Sequence, residues 1–157
     1  MSTLGSDHPR AGSGRIVVGV DGSAHSEEAL RWAIGQARLT GGSVVAVMSW
    51  SIPIDFGIGG AAVLESYDWQ GVAAATVRDT VAKVVDPADA ERVSQQVIMG
   101  HPSTVLVDAS ADADLLVVGS RGRGGFKGML LGSTSQHVIA RAACPVVVVR
   151  AAEDTIE

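Results

Sequence analysis

Residues 15–21 read RIVVGVD, and this stretch decides the fold. A short β-branched run without polar alternation is what a strand buried on both faces of a parallel sheet requires. Immediately after it Ser23 stands where a helix N-cap belongs, with Glu27 and Glu28 in the first turns. Ala29, Leu30, Ala33, Ile34 and Ala37 then form one apolar stripe, and Gly41-Gly42 stops the helix. Residues 43–49, SVVAVMS, return to a strand.

The same alternation continues outward. Residues 50–60 carry Pro53 and three glycines and read as a long connection. Trp69, Val72, Ala73, Thr76, Val77, Thr80, Val81 and Val84 keep helical spacing until Asp86-Pro87. Residues 92–99 form a third strand, and its polar Ser94, Gln95 and Gln96 suit a sheet edge. Pro102 opens a helix to about residue 111, and DLLVVG at 114–119 is a fourth strand. A glycine-rich loop, a helix over about 133–142 and a fifth strand over 145–149 complete the chain. Five strands separated by four helical segments predict an α/β protein. The expected architecture is a single open five-stranded parallel sheet, Rossmann-like, with right-handed crossovers and helices on both faces.

The 157 residues suit one domain at roughly 150 residues each. The expected organisation is a flexible N-terminal tail over 1–14, a domain over 15–150 and a short C-terminal tail over 151–157. Residues 1–14 lack the apolar core of a signal peptide. No apolar run approaches the ~20 residues of a membrane span, so no membrane partner is expected. A net charge of −5 argues against general nucleic-acid binding. One cysteine, Cys144, allows no intrachain disulfide and fits a reducing, cytoplasmic setting; its apolar surroundings suit a small buried hydrophobe better than a nucleophile. His8, His25, His101 and His137 lack metal-ligand spacing and suit surface or capping roles.

Open parallel sheets bind ligands beyond the carboxyl ends of their strands, where the winding reverses. Two loops at that end stand out. One is Asp21-Gly22-Ser23. The other runs from Gly119 to Ser135 and holds six glycines between 119 and 132. Glycines let backbone N–H groups approach an anion, and a helix N-terminus adds unpaired donors. Ser133, Thr134 and Ser135 offer hydroxyls there, and Arg121, Arg123 and Lys127 offer positive charge. These are the parts of a phosphate cradle; a surface loop with ordinary helix caps is the other reading of the same residues. Walker A fails because Gly128 and Met129 follow Lys127, and G-x-G-x-x-G fails because Lys127 stands where its last glycine belongs.

Another spacing fits: Gly119, two residues, Gly122, nine residues, Gly132, then Ser133. With VGVDGS at 18–23 and CPVVVV at 144–149, the chain resembles the universal stress protein family from residue 15 to 150. The resemblance implies the strand order 3-2-1-4-5, which brings the two loops together. It implies that Asp21 meets the nucleoside of ATP, although Asp21 could instead only cap the first helix. Gly19, Val20 and Val47 would contact the adenine, and Val118 the base or ribose. Gly119, Gly122, Gly132 and Ser133 would hold the phosphates, helped by Thr134 and Ser135. Gly19 departs from the proline often found at its position, while the glycine pattern that marks the ATP-binding branch is intact. The implied protein is a cytoplasmic, ATP-binding stress-response regulator or sensor. Mg²⁺ would be carried mainly by the phosphates, and the chain would form a homodimer through strand 5, residues 145–149. A slow ATPase or phosphotransferase, and an interaction protein that takes AMP or cyclic AMP, are the alternatives. No downstream protein partner is legible.

Overall fold

A computed structural model describes residues 14–53, 66–122, 128 and 130–151. The elements are β1 (Arg15–Gly19), α1 (Ala24–Thr40), β2 (Ser43–Trp50), α2 (Trp69–Val84), a 3₁₀ turn (Pro87–Arg92), β3 (Val93–Met99), α3 (Pro102–Ser110), β4 (Leu115–Gly119), α4 (Ser133–Arg141) and β5 (Val146–Val149). The five strands form one sheet in the order β3-β2-β1-β4-β5, and every neighbouring pair is parallel. The expected architecture and strand order are both present.

Alternation along the strands divides the core into two layers. Ile16, Val18, Val44, Ala46 and Val117 pack against the α1 stripe and against Val77 of α2. Val17, Val45, Val47, Leu116 and Val118 face the other way, against Val105 and Leu106 of α3 and Val138 of α4. Because both faces are covered, the central strands are apolar at consecutive positions rather than alternate ones. Polar residues return on β3, where Ser94, Gln95 and Gln96 are exposed, as an edge permits.

The helix boundaries follow from capping. Ser23 Oγ accepts the Ser26 N–H at the start of α1, and Gly41 closes that helix with φ 72°, a left-handed value that favours glycine. His101 is a cap: its Nδ1 accepts the Ser103 N–H at the start of α3. The residues at the domain ends are engaged. Gly14 accepts a 3.0 Å bond from the Ser43 N–H, and Ala151 is buried. Residues 1–13 and 152–157 of the expected tails lie outside the described residues, as do residues 54–65 of the long connection. Cys144 is half-buried, and burial pushes its thiol pKa up, which disfavours a reactive thiolate.

The 3₁₀ turn has no periodic signature in the sequence, being too short for one. It is held by Asp89, a carboxylate only 3% exposed. Arg38 of α1 grips it through Nε, 3.0 Å from each oxygen, and through Nη2. Arg92 Nε adds a contact of 3.2 Å. The hydrogen bonds from Arg38 hold the Asp89 carboxyl below its ordinary value of 3.8, against the opposing effect of desolvation. A lowered folded-state pKa stabilises above the unfolded value and loses that contribution as pH falls through the folded one. Asp89→Asn is therefore expected to melt below the parent at neutral pH, with the gap closing as pH drops beneath 3.8. Melting curves from pH 7 to 2 check this; a gap that does not change with pH would mean the pair contributes packing alone.

A candidate nucleotide cavity at the strand switch

β1 and β4 separate at their carboxyl ends. Their pairing stops at Val18↔Val117, while each continues with its outer neighbour. Val20 N–H donates to Val47 O at 2.8 Å, and Ser120 N–H donates to Val149 O at 2.8 Å. The chain leaves β1 towards one side of the sheet and β4 towards the other, so a crevice opens between them. It forms a cavity of about 290 Å³, near the lower end of the range for small-molecule sites.

Eleven of the thirteen residues expected at the site line this cavity: Gly19, Val20 and Asp21 after β1; Val47 on β2; Val118, Gly119, Arg121 and Gly122 around the end of β4; and Ser133, Thr134 and Ser135 on α4. Gly132 lies behind the lining, where its N–H donates to Ser120 O at 2.7 Å and fixes the approach to α4. Arg123, like Lys127, lies outside the described residues.

The two loops that the sequence singled out meet at Asp21. Its Oδ1 accepts the Ser23 N–H at 2.9 Å. Its own N–H donates to Ser26 Oγ at 3.4 Å, and Ser26 Oγ donates to Ser23 O at 2.9 Å. Asp21 thus shapes the turn ahead of Ser23, which is the residue that caps α1, and lines the cavity as well. Its Oδ2 faces the other loop: a Cβ added at Gly122 would lie 2.5 Å from it.

The start of α4 differs from that of α1. Gly132 occupies the N-cap position, and among the described residues no side chain caps the helix. Ser133, Thr134 and Ser135 are its first three residues, so their N–H groups have no carbonyl one turn back within the helix, and all three residues line the cavity. Backbone donors, the positive end of the helix dipole and Arg121 thus all border the space. That combination suits an anion.

Two roles differ from expectation. Ser135 is buried, and its hydroxyl donates to Gly119 O at 2.7 Å. Its proton therefore ties α4 to β4, whereas Ser133 is exposed and Thr134 half-buried on the cavity lining. Gly119 is required for packing: a Cβ there would lie 2.8 Å from the carbonyl carbon and the Cβ of His25. The glycine lets α1 rest on β4, which leaves only its backbone for the cavity.

Ser26, Ser49, Pro102 and Leu106 also line the cavity and escape a reading based on loop motifs. Strand alternation could have found Ser49, since it follows Val47 by two and shares its face. Ser26, Pro102 and Leu106 come from helices that reach the site by packing, and no local spacing marks them. Asp21 is the only carboxylate in the lining among the described residues. Those residues hold no cluster of three or more His, Cys, Asp or Glu able to take a metal, and no helix among them is long and apolar enough to cross a membrane.

The chain is similar to known proteins over most of its length. A universal stress protein of Mycobacterium tuberculosis H37Rv, Rv2005c, is 38% identical over 135 residues, covering 86% of this chain and 45% of its own. A second from the same strain, Rv2623, is 35% identical over 138 residues, covering 86% and 44%. The chain thus spans about half the length of these curated relatives. Among solved structures, universal stress protein UspA from Lactobacillus plantarum superposes with a TM-score of 0.71 at 23% identity, over 87% of this chain and 97% of that one. A universal stress protein from Archaeoglobus fulgidus, solved in complex with dAMP, matches at 26% identity with a TM-score of 0.51, over 86% and 96%. The model of the universal stress protein family matches residues 12–150. The chain belongs to the universal stress protein family.

Proposed function

We propose that the cavity at the β1–β4 switch binds an adenine nucleotide, ATP foremost, and that the protein acts as a nucleotide-dependent regulator or sensor of stress in the cytoplasm. The observation that carries this reading is the juxtaposition in one cavity of the uncapped start of α4, the Gly119–Gly122 backbone and Asp21. The donors and Arg121 provide for phosphates. Asp21 is the group for ribose hydroxyls, and the apolar side formed by Val47, Val118 and Leu106 suits a purine. The dAMP complex of the Archaeoglobus fulgidus relative supports the same ligand class. Mg²⁺ would enter with the phosphates, and Asp21 is the carboxylate available to it or to its waters. With one carboxylate in the lining among the described residues, and that one engaged in its own turn, binding is favoured over turnover. The proposed assembly is a homodimer through β5.

Purification without added nucleotide, denaturation and mass spectrometry of the released small molecules test the ligand class. An adenine nucleotide is expected; AMP or cyclic AMP in place of ATP would shift the reading to the interaction-protein alternative. Arg121→Gln separates charge from cradle. Coulomb attraction grows with ligand charge and is screened by salt, so the variant is expected to weaken ATP severalfold, leave adenosine unchanged and flatten the salt dependence of ATP affinity. Titrations at 50 and 300 mM salt check this. An unchanged slope would leave the backbone cradle as the sole phosphate ligand.

A further inference from the structure

Gly19 has no side chain, and the space one would take is already filled. A Cβ there would lie 2.8 Å from Leu106 Cδ1, 3.4 Å from Leu106 Cδ2 and 3.6 Å from Val118 Cγ1. Leu106 of α3, Gly19 of β1 and Val118 of β4 therefore form one apolar layer, and all three line the cavity. Leu106 and Val118 are 5% and 4% exposed, so the layer is close-packed and has little room to yield. Pro102 stands one helical turn before Leu106 on the same side of α3 and continues the wall. α3 packs on β2 and β1 as well as on β4. It also packs against α4, and Leu106 shares one apolar cluster with Val47 and Val118, so its wall continues the apolar lining that those two valines present to the cavity.

We infer that Leu106, seated against the bare Cα of Gly19, sets the size of base the cavity accepts and makes the site selective for an unsubstituted purine. This rests on the nucleotide reading above. A hydrophobic wall discriminates by volume: one methylene more or less is worth roughly 10–200-fold in selectivity. The residue binds nothing through a polar atom. It acts by occupying space, and Gly19 determines where it sits.

The test compares ATP with N6-benzyl-ATP and 2-methylthio-ATP, which carry bulk on two different edges of the ring. The parent is expected to prefer ATP over at least one analogue by tenfold or more, and Leu106→Ala is expected to reduce that preference at least tenfold. A merely structural role would lower all three affinities together. Leu106→Val, a milder truncation, is read in the same way if the alanine variant does not fold. In the opposite direction, Gly19→Ala is expected to push Leu106 into the cavity and weaken ATP. Adding Leu106→Val to it should restore binding, a coupling that independent sites would not show. A folded Leu106 variant that binds ATP with both selectivity ratios unchanged would overturn the inference alone. A parent that binds none of the three would overturn the nucleotide reading and this inference with it.

Discussion

Replacing Gly122 by valine is expected to weaken ATP binding at least tenfold, about 1.4 kcal/mol, in a protein that still folds. Gly122 is exposed and is not among the glycines with positive φ, so a β-branched residue meets no backbone strain there. It meets the cavity instead. Its Cβ would stand 2.5 Å from Asp21 Oδ2, and the carboxylate would have to leave the place it holds between the two loops. Two further methyl groups would then occupy the approach to the α4 donors. Gly119→Val differs in kind, because its Cβ meets the α1 backbone at His25; that variant should lose stability before it loses affinity. Calorimetric titration and melting of the two variants separate these effects. Equal ATP affinity in a folded Gly122→Val variant and the parent would remove this loop from the phosphate site.

Replacing Val147 and Val148 together by aspartate is expected to break the proposed dimer into monomers. Among the described residues β5 pairs with β4 on one side only, and the four valines over 146–149 are all half-buried. An uncharged, apolar edge strand invites pairing with another chain. Two-fold symmetry would bring the same strand from each copy together, antiparallel, in a self-complementary interface. Val147 packs towards the α1 face and Val148 towards the α3–α4 face, so the double variant puts one charge on each. Association should weaken by at least a hundredfold, about 2.8 kcal/mol. Sedimentation at micromolar concentration reads the mass, and circular dichroism confirms that each variant is folded. A parent that sediments as a monomer would refute the dimer. Equal dimeric masses for parent and variant would move the interface elsewhere.

Much of the fold was legible because burial on both faces leaves so plain a mark. Residues 15–21 and 114–119 hold apolar side chains at consecutive positions, and little but a central parallel strand requires that. β3 was legible for the opposite reason, since Gln95 and Gln96 are tolerated only at an edge. The 3₁₀ turn was not, because a single turn has no period and Asp89 is held by Arg38, 51 residues away. At the site, the loop residues Asp21, Gly122 and Ser133 could be chosen from sequence because backbone donors and small residues cluster there. Leu106 could not. A leucine on an apolar helix face looks like any other core residue until packing brings it against Gly19. Ser135 could be placed, but its partner, the Gly119 carbonyl, comes from sixteen residues earlier in the chain.

Amide NMR of the nucleotide-free protein titrated with MgATP tests the central claim most directly. The expected result is saturable binding at one site per chain. The largest shifts should fall on Val20, Gly119, Gly122, Ser133 and Thr134, with β3 and the carboxyl end of α1 unmoved. No saturable shift up to millimolar MgATP, or shifts centred away from the β1–β4 switch, would contradict it.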